Sequence, residues 1–356
     1  MRYSIAAVSL VSVVAVCAAV AVLAADQSAP KPAAAGGSAL RPIVPHESWS
    51  CGMPGGIPAP ETGTLLFTAE VPLDRVADIG RTQYGRRQVA VGQQGTVAGA
   101  RLTGTVMTGG LDFELALANG VIEIEQILVV RTADGKYVYA RTAGTGADSK
   151  DVRIVMDFEA PNGSDVAWLN TGTYVARRVL NPAAKTMTLR VYEVPAPPAS
   201  AGADAIRISK PAGVPPQPWD YRLADPTEKQ GAQLIAERVA LSPSQSVGAS
   251  KRGNRNIIPI TGGELSGRIT GKVLPGGADY QNLGKPATID ARYLWQTADG
   301  EIIIVRNGGA FGSLVPTFEV RTDSPYAWLN SGRYLSSNPG MSTGGVALTF
   351  YESSKP

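Results

Sequence analysis

Histidine and cysteine are almost missing from this chain, whose 356 residues hold one His and two Cys. A Ser-His-Asp or Cys-His arrangement therefore has a single candidate imidazole. It is His46, in a proline-rich leader, so such a centre requires the leader to fold back onto a domain. Zinc sites built from His and Cys lack ligands, and no spacing resembles a calcium loop, so the expectation is no metal and no cofactor. Charge is sparse too, at 18% of residues, with 33 Lys plus Arg against 30 Asp plus Glu and no basic tract. Nucleic-acid binding by phosphate neutralisation has little to work with. The glycine pairs Gly262-Gly263, Gly276-Gly277 and Gly308-Gly309 lack the Lys and helix of a phosphate cradle and read as turns or bulges. Beyond residue 25 no segment keeps a helical period over ten residues.

What the chain has in plenty is Gly (40) and Pro (26), a composition that favours short strands and turns. It opens with Arg2 and an apolar run from Ile5 to Leu23 that ends in Ala24-Ala25 before Asp26. This reads as a secretory signal peptide over residues 1–25, with an uncleaved anchor as the alternative route to a membrane. The expected location is secreted or periplasmic. Cleavage removes Cys17 and leaves Cys51 as the single thiol, so no intramolecular disulfide forms; its Pro- and Gly-rich surroundings predict exposure. Residues 26–61 and 195–229 read as extended linkers rich in Pro, Ala and Gly.

The blocks between and after these linkers, 62–194 and 230–356, are copies of one another. Phe158-Glu159, Ala167-Trp168-Leu169-Asn170-Thr171-Gly172 and Tyr174 are matched at the same spacing by Phe318-Glu319, Ala327-Trp328-Leu329-Asn330-Ser331-Gly332 and Tyr334. Upstream, Asp112 pairs with Asp279, Arg87 with Arg255 and Arg141 with Arg306. A duplicated unit of about 125 residues follows.

Inside each copy the period is two. Ile289, Ala291, Tyr293 and Trp295 alternate with Asp290, Arg292, Leu294 and Gln296, and Ile122, Ile124, Gln126, Leu128 and Val130 alternate with Glu123, Glu125, Ile127, Val129 and Arg131. These are strands with one greasy face. Ala133-Asp134-Gly135 and Ala298-Asp299-Gly300 supply hairpin turns into the next runs. Seven or eight such runs per copy predict an all-β protein of two antiparallel β-barrels, with β-sandwiches as the alternative.

The second copy, through Arg255 to Gly263, Leu274 to Tyr280, Asp290 to Tyr293 and Tyr326 to Asn330, resembles a family of microbial proteins catalogued as domain of unknown function 3237. The match runs across nearly the whole block. The first copy resembles the same family more weakly, since Val91 replaces Pro259, Thr108 replaces Pro275 and Ile127 replaces Arg292. The resemblance implies a calycin-like or allene-oxide-cyclase-like antiparallel barrel and brings no activity with it. Such proteins usually carry one module, so the fused pair is a departure.

Candidate chemistry rests on acids and guanidiniums that recur in both copies. Asp290 and Asp279 are the candidate carboxylate bases, with Arg255, Arg292, Arg306, Asn307 and Trp328 as ligand contacts; the first-copy equivalents are Glu125, Asp112, Arg87, Arg141 and Trp168. A carboxylate poised between burial and a nearby Arg is sufficient for proton abstraction without His. The competing expectation is plainer: Asp290 and Arg292 share the face opposite Ile289 and Tyr293, where a solvent-facing ion pair would also lie. Asp279 equally suits a turn brace, and Trp168 and Trp328 suit plugs at a barrel end. Two functions follow. One is a small-molecule-binding barrel performing cofactor-independent proton transfer, as an isomerase or lyase; the other is a non-catalytic, envelope-associated scaffold.

Overall fold

The computed structural model describes residues 40–49, 51–53, 55–218 and 222–354. The expected signal peptide and the front of the first linker lie outside them. Among the described residues the regular structure is strand plus three short 3-10 turns, Pro60–Thr62, Ala167–Asn170 and Ala327–Asn330. No described helix is long and apolar enough to cross a membrane.

The first copy closes into an eight-stranded antiparallel barrel. Its wall runs Thr64–Arg81, Gly95–Ala98, Gly104–Val106, Ile122–Thr132, Tyr137–Gly146, Arg153–Glu159, Tyr174–Asn181 and Thr186–Glu193, which pairs back onto Thr64–Arg81. Two further strands, Arg86–Gly92 and Leu111–Ala116, bridge the far ends of Thr64–Arg81 and Ile122–Thr132 as a side sheet. Alternation decides what fills the barrel: Ile122, Ile124, Leu128 and Val130 point inward onto Leu66, Phe158, Tyr174 and Leu189.

The second copy repeats this plan with Gln230–Leu241, Gly253–Gly267, Gly271–Val273, Thr288–Thr297, Ile302–Ala310 and Val315–Glu319, and with Gln245–Ser250 and Ala278–Asn282 as its side sheet. Gly271–Val273 is a strand of only three residues. The wall is less complete here. Tyr174–Asn181 is one unbroken strand paired on both sides, whereas its counterpart splits into Tyr334–Ser336 and Gly340–Ser342, each laddered only to Gly345–Ser353. Val315–Glu319 and Tyr334–Ser336 form no ladder, and the wall is joined there by a single backbone bond from the Ser336 N-H to the Leu314 carbonyl at 3.0 Å.

The second face of each strand is where expectation and structure part. Ile289, Ala291, Tyr293 and Trp295 do fill the barrel, but the opposite face is covered by the other barrel rather than by water. Leu294 and Ile304 of the second copy pack on Val89, Val91, Leu111 and Phe113 of the first, and Ile127, Val129 and Tyr139 of the first pack on Ile257, Ala278 and Tyr280 of the second. Each barrel thus lays its outer face on the other's side sheet, the reciprocal contact expected of two copies meeting face to face.

The linkers are likewise not free spacers. Ile43–Val44 pairs in parallel with Ile206–Arg207, and Trp49, Cys51, Met53 and Ile57 pack on Val175 and Tyr192. The buried Arg153 donates to the carbonyls of Arg41 and Ile57 and pins the leader. Cys51, expected exposed, is 4% exposed, and burial pushes its thiol well above the ordinary value. Its apolar neighbours offered more contact than water did.

Candidate functional site

Most recurring charged residues meet at the seam between the barrels. Arg292 reaches from the second barrel to Glu125 of the first at 2.5 Å and also holds Asp290 at 2.8 Å. Arg141 lies 3.1 Å from Glu125, and Arg306 lies 3.3 Å from Asp290. Burial by itself would lift both carboxylates, but Arg292 and Arg306 hold Glu125 below the ordinary range and Asp290 far below it. A carboxylate so strongly held as an anion is a feeble base. Asp290 faces away from its barrel's interior, locked between guanidiniums.

The outer pairs are reciprocal. Arg255 of the second copy bonds Glu159 of the first at 2.7 Å, and Arg87 of the first bonds Glu319 of the second at 2.9 Å. These four residues are equivalent by internal repeat, so the same contact is made twice. On each side of the seam opens a cleft: Arg141, Arg255 and Asp290 line one, and Arg87, Glu125, Arg292 and Arg306 line the other. The clefts are covered by Cys51 to Met53 of the leader and by Gln217-Pro218 of the linker; the Gln217 side chain accepts from Arg87 and the Pro218 carbonyl from Arg306.

The tryptophans, expected as plugs, flank the barrel ends rather than fill them. In each 3-10 turn the Leu, Leu169 or Leu329, is the residue plugged into the core. Trp168 and Trp328 lie half-buried beside it, edge-on to Tyr174 and Tyr334 and each under an arginine, Arg101 at 3.8 Å and Arg268 at 4.0 Å.

Two of the expected residues, Asp279 and Asn307, face the interior of the second barrel. They line a cavity with Glu237, Ile260, Tyr293 and Leu314. The space is narrow, about 20 Å³, room for about one water. Glu237 is 2% exposed and accepts from Tyr293 Oη at 2.5 Å and Trp295 Nε1 at 2.8 Å. Burial pushes its carboxyl up to about 8, against those two bonds and with a further push from Asp279. Asp279 has no hydrogen-bond or ion-pair partner among the described residues, and burial lifts it to about 6. Asn307, 4% exposed, donates to Ser336 Oγ at 3.1 Å, while its side-chain oxygen is buried with no partner. Gly277 places Asp279 here: its φ of +81° and the collision a Cβ would make with the Arg292 carbonyl require glycine.

Glu237 was absent from the sequence expectation, although a signal existed. It occupies the inward parity of Ile235, Glu237, Val239 and Leu241, an acid amid apolar alternate positions. In the first barrel the acid corresponding to Asp279 has a guanidinium partner, although burial still lifts its carboxyl above the ordinary range. Asp112 bonds Arg178 at 2.5 Å and Gln126 at 2.7 Å, Arg178 also bonds Glu114 at 2.6 Å, and the strand register sets Ala69 where Glu237 stands. Among the described residues no group of three or more His, Cys, Asp or Glu side chains is arranged to hold a metal ion.

Fold and site define a tandem antiparallel β-barrel protein with an unneutralised acid pair in one of its two interiors. The chain belongs to the family described as protein of unknown function (DUF3237), whose model matches residues 62–194 and 233–313. The match covers the first copy through its last wall strand, Thr186–Glu193, and stops in the second ahead of Val315–Glu319. That is less of the second copy than the sequence resemblance implied. A UPF0311 protein of Bradyrhizobium diazoefficiens is 45% identical over 83 residues, 22% of this chain and 55% of its own length. A UPF0311 protein of Rhodopseudomonas palustris is 45% identical over 67 residues, 18% of this chain and 44% of its own. The chain thus spans about half the length of the curated relatives it matches. A solved β-barrel-like protein from Acinetobacter baumannii overlaps 37% of this chain and 94% of its own at 22% identity, with a TM-score of 0.34.

Proposed function

We propose that the second barrel binds a small, chiefly apolar molecule and moves a proton on it without a cofactor, as an isomerase or lyase does. The observation that carries this reading is the Asp279-Glu237 pair. Two carboxyl groups share one cavity, with values of about 6 and about 8, so near pH 7 Asp279 is an anion and Glu237 an acid. Asp279 takes a proton from carbon next to a carbonyl, and Glu237 returns one to the group that gains charge. The unpartnered side-chain oxygen of Asn307 accepts from a hydroxyl or N-H of the ligand. The cavity must widen around any guest, and the wall between Leu314 and Ser336, joined by one backbone bond, is where it has least to break.

The test uses small cyclic β-diketones and hydroxy-enones, whose acidic C-H hydrogens exchange in D₂O. A compound that raises the melting temperature at pH 7 should exchange faster with protein present, because it binds the native state. Asp279→Asn should keep the thermal shift and lose at least about 100-fold in exchange rate, the usual weight of one acid-base group. Equal exchange by wild type and the Asn variant sinks the reading.

A second reading is favoured by the reciprocal pairs Arg87-Glu319 and Arg255-Glu159. In it the recurring arginines and acids serve to join the barrels, and the chain is a scaffold without turnover.

A further inference from the structure

The lone histidine sits in a setting that neither the family nor the barrel interiors account for. The leader turns over the outer face of Ile122–Thr132, closed by a bond from the Trp49 N-H to the His46 carbonyl at 3.0 Å and anchored by Trp49 Nε1 on the Gly144 carbonyl at 2.9 Å. This brings His46 Nε2 onto the carboxylate of Glu123, which is 1% exposed. On the other edge of the ring, Ser48 Oγ lies 2.8 Å from Nδ1. With Nε2 donating to a buried carboxylate, the neutral ring keeps its lone pair on Nδ1, facing the serine hydroxyl. Lys210, brought in by the second linker and held by the Pro215 carbonyl at 2.6 Å, places Nζ 3.2 Å from Ser48 Oγ. Ser48 is half-buried, at the edge of an open pocket of about 830 Å³ lined also by Val44, Trp49, Arg207 and Lys210.

We propose that Ser48, His46 and Glu123 form a second centre, separate from the barrel interior, that hydrolyses small carboxylic esters through an acyl-serine. Such centres are defined by geometry and roles rather than by chain order. Ser48 Oγ attacks the ester carbonyl carbon while its proton passes to His46 Nδ1. The Glu123 carboxylate steadies the resulting imidazolium, and the Lys210 ammonium faces the developing oxyanion. Collapse breaks the bond to the alkoxy group, which leaves as the alcohol with the proton from His46. Water then adds to the acyl carbon, giving its proton to His46; the carboxylic acid departs and that proton returns to Ser48 Oγ. Ester plus water yields acid plus alcohol, with no other reactant. Arg207 and Lys210 at the rim favour esters that carry a negative charge.

The test treats the full chain with a fluorophosphonate, which traps an activated serine, and reads the modified peptide by mass spectrometry. Ser48 should be modified one-to-one and Ser48→Ala should take up none at that peptide. His46→Gln keeps hydrogen-bonding capacity without a base; it should slow labelling by about 100-fold or more, the contribution of a general base. Should that variant unfold by circular dichroism, Lys210→Met supplies the same readout at an exposed rim, with labelling slowed by at least about 10-fold. If Ser48 is labelled no faster than the exposed Ser209, or at the same rate in folded His46→Gln, the three residues are a structural peg and the proposal is overturned. Labelling at Ser48 is read without any barrel ligand, so its failure is separate from failure of the Asp279 reading.

Discussion

The two barrel interiors descend from one plan and surround the same buried acid differently, although burial lifts the carboxyl in both. In the first, Asp112 is matched by Arg178 and Gln126 behind an unbroken wall strand. In the second, Asp279 meets no guanidinium among the described residues, a second acid stands where the first barrel has Ala69, and the counterpart wall strand is broken in two. By residue spacing Arg178 corresponds to Asn338, which is exposed and caps the Gly312 N-H instead of entering the barrel. Leaving a carboxyl uncompensated in an apolar space costs stability, a cost the second barrel carries and the first offsets with Arg178.

The sharpest way to break this contrast is to remove the neutralising charge from the first barrel. Arg178→Met leaves Asp112 and Glu114 without their partner and should cost about 3–5 kcal/mol, the range for breaking a buried pair, read by urea unfolding at pH 8. Asp279→Asn in the same assay should stabilise, because it deletes a buried acid that has nothing to lose. If both variants destabilise alike, the interiors are not different in kind.

The next effect is a pH dependence confined to the second barrel. Folding raises Glu237 from 4.5 to about 8, so across that window the folded chain binds more protons than the unfolded one. Stability from this group is present below pH 4.5, falls as pH climbs through the window and is flat above it. Glu237→Gln should therefore change little at pH 5 and stabilise by on the order of 5 kcal/mol at pH 9, measured as melting temperature against pH. A constant difference at all pH values would place Glu237 in an ordinary ionised state.

The smallest expected effect lies where the barrels agree. Arg268→Ala and Arg101→Ala each remove a cation over a half-buried Trp and should each cost about 0.5–1 kcal/mol, equal within error by chemical denaturation. Unequal losses would show that the barrel ends have diverged along with the interiors.

Much of the architecture was legible because it is written locally. Ala167 to Gly172 against Ala327 to Gly332 exposes the duplication, and period-two runs such as Ile289 to Trp295 expose strands whose inward face is the core. Asp279 follows Gly276-Gly277 and Asn307 follows the apolar run Ile302 to Val305, but the chain pattern does not show that both face the interior of the second barrel. Arg87, Arg255, Arg141, Arg306, Glu125 and Asp290 were found for recurring, yet recurrence here reflects a contact made twice across the seam. Leader and linker read as spacers because no period marks them, and their packing against the first barrel depends on surfaces assembled from distant strands.

Sequence alone determined that the chain is all-strand, doubled and nearly free of histidine and cysteine, because alternation, spacing and composition are properties of neighbours along the chain. Only the tertiary structure decided that the outer strand faces meet each other, that Asp290 is held by arginines while Asp279 stands alone, and that His46 reaches Glu123. Those outcomes turn on desolvation and on charges brought together from opposite ends of the chain, and neither is set until the barrels close and dock.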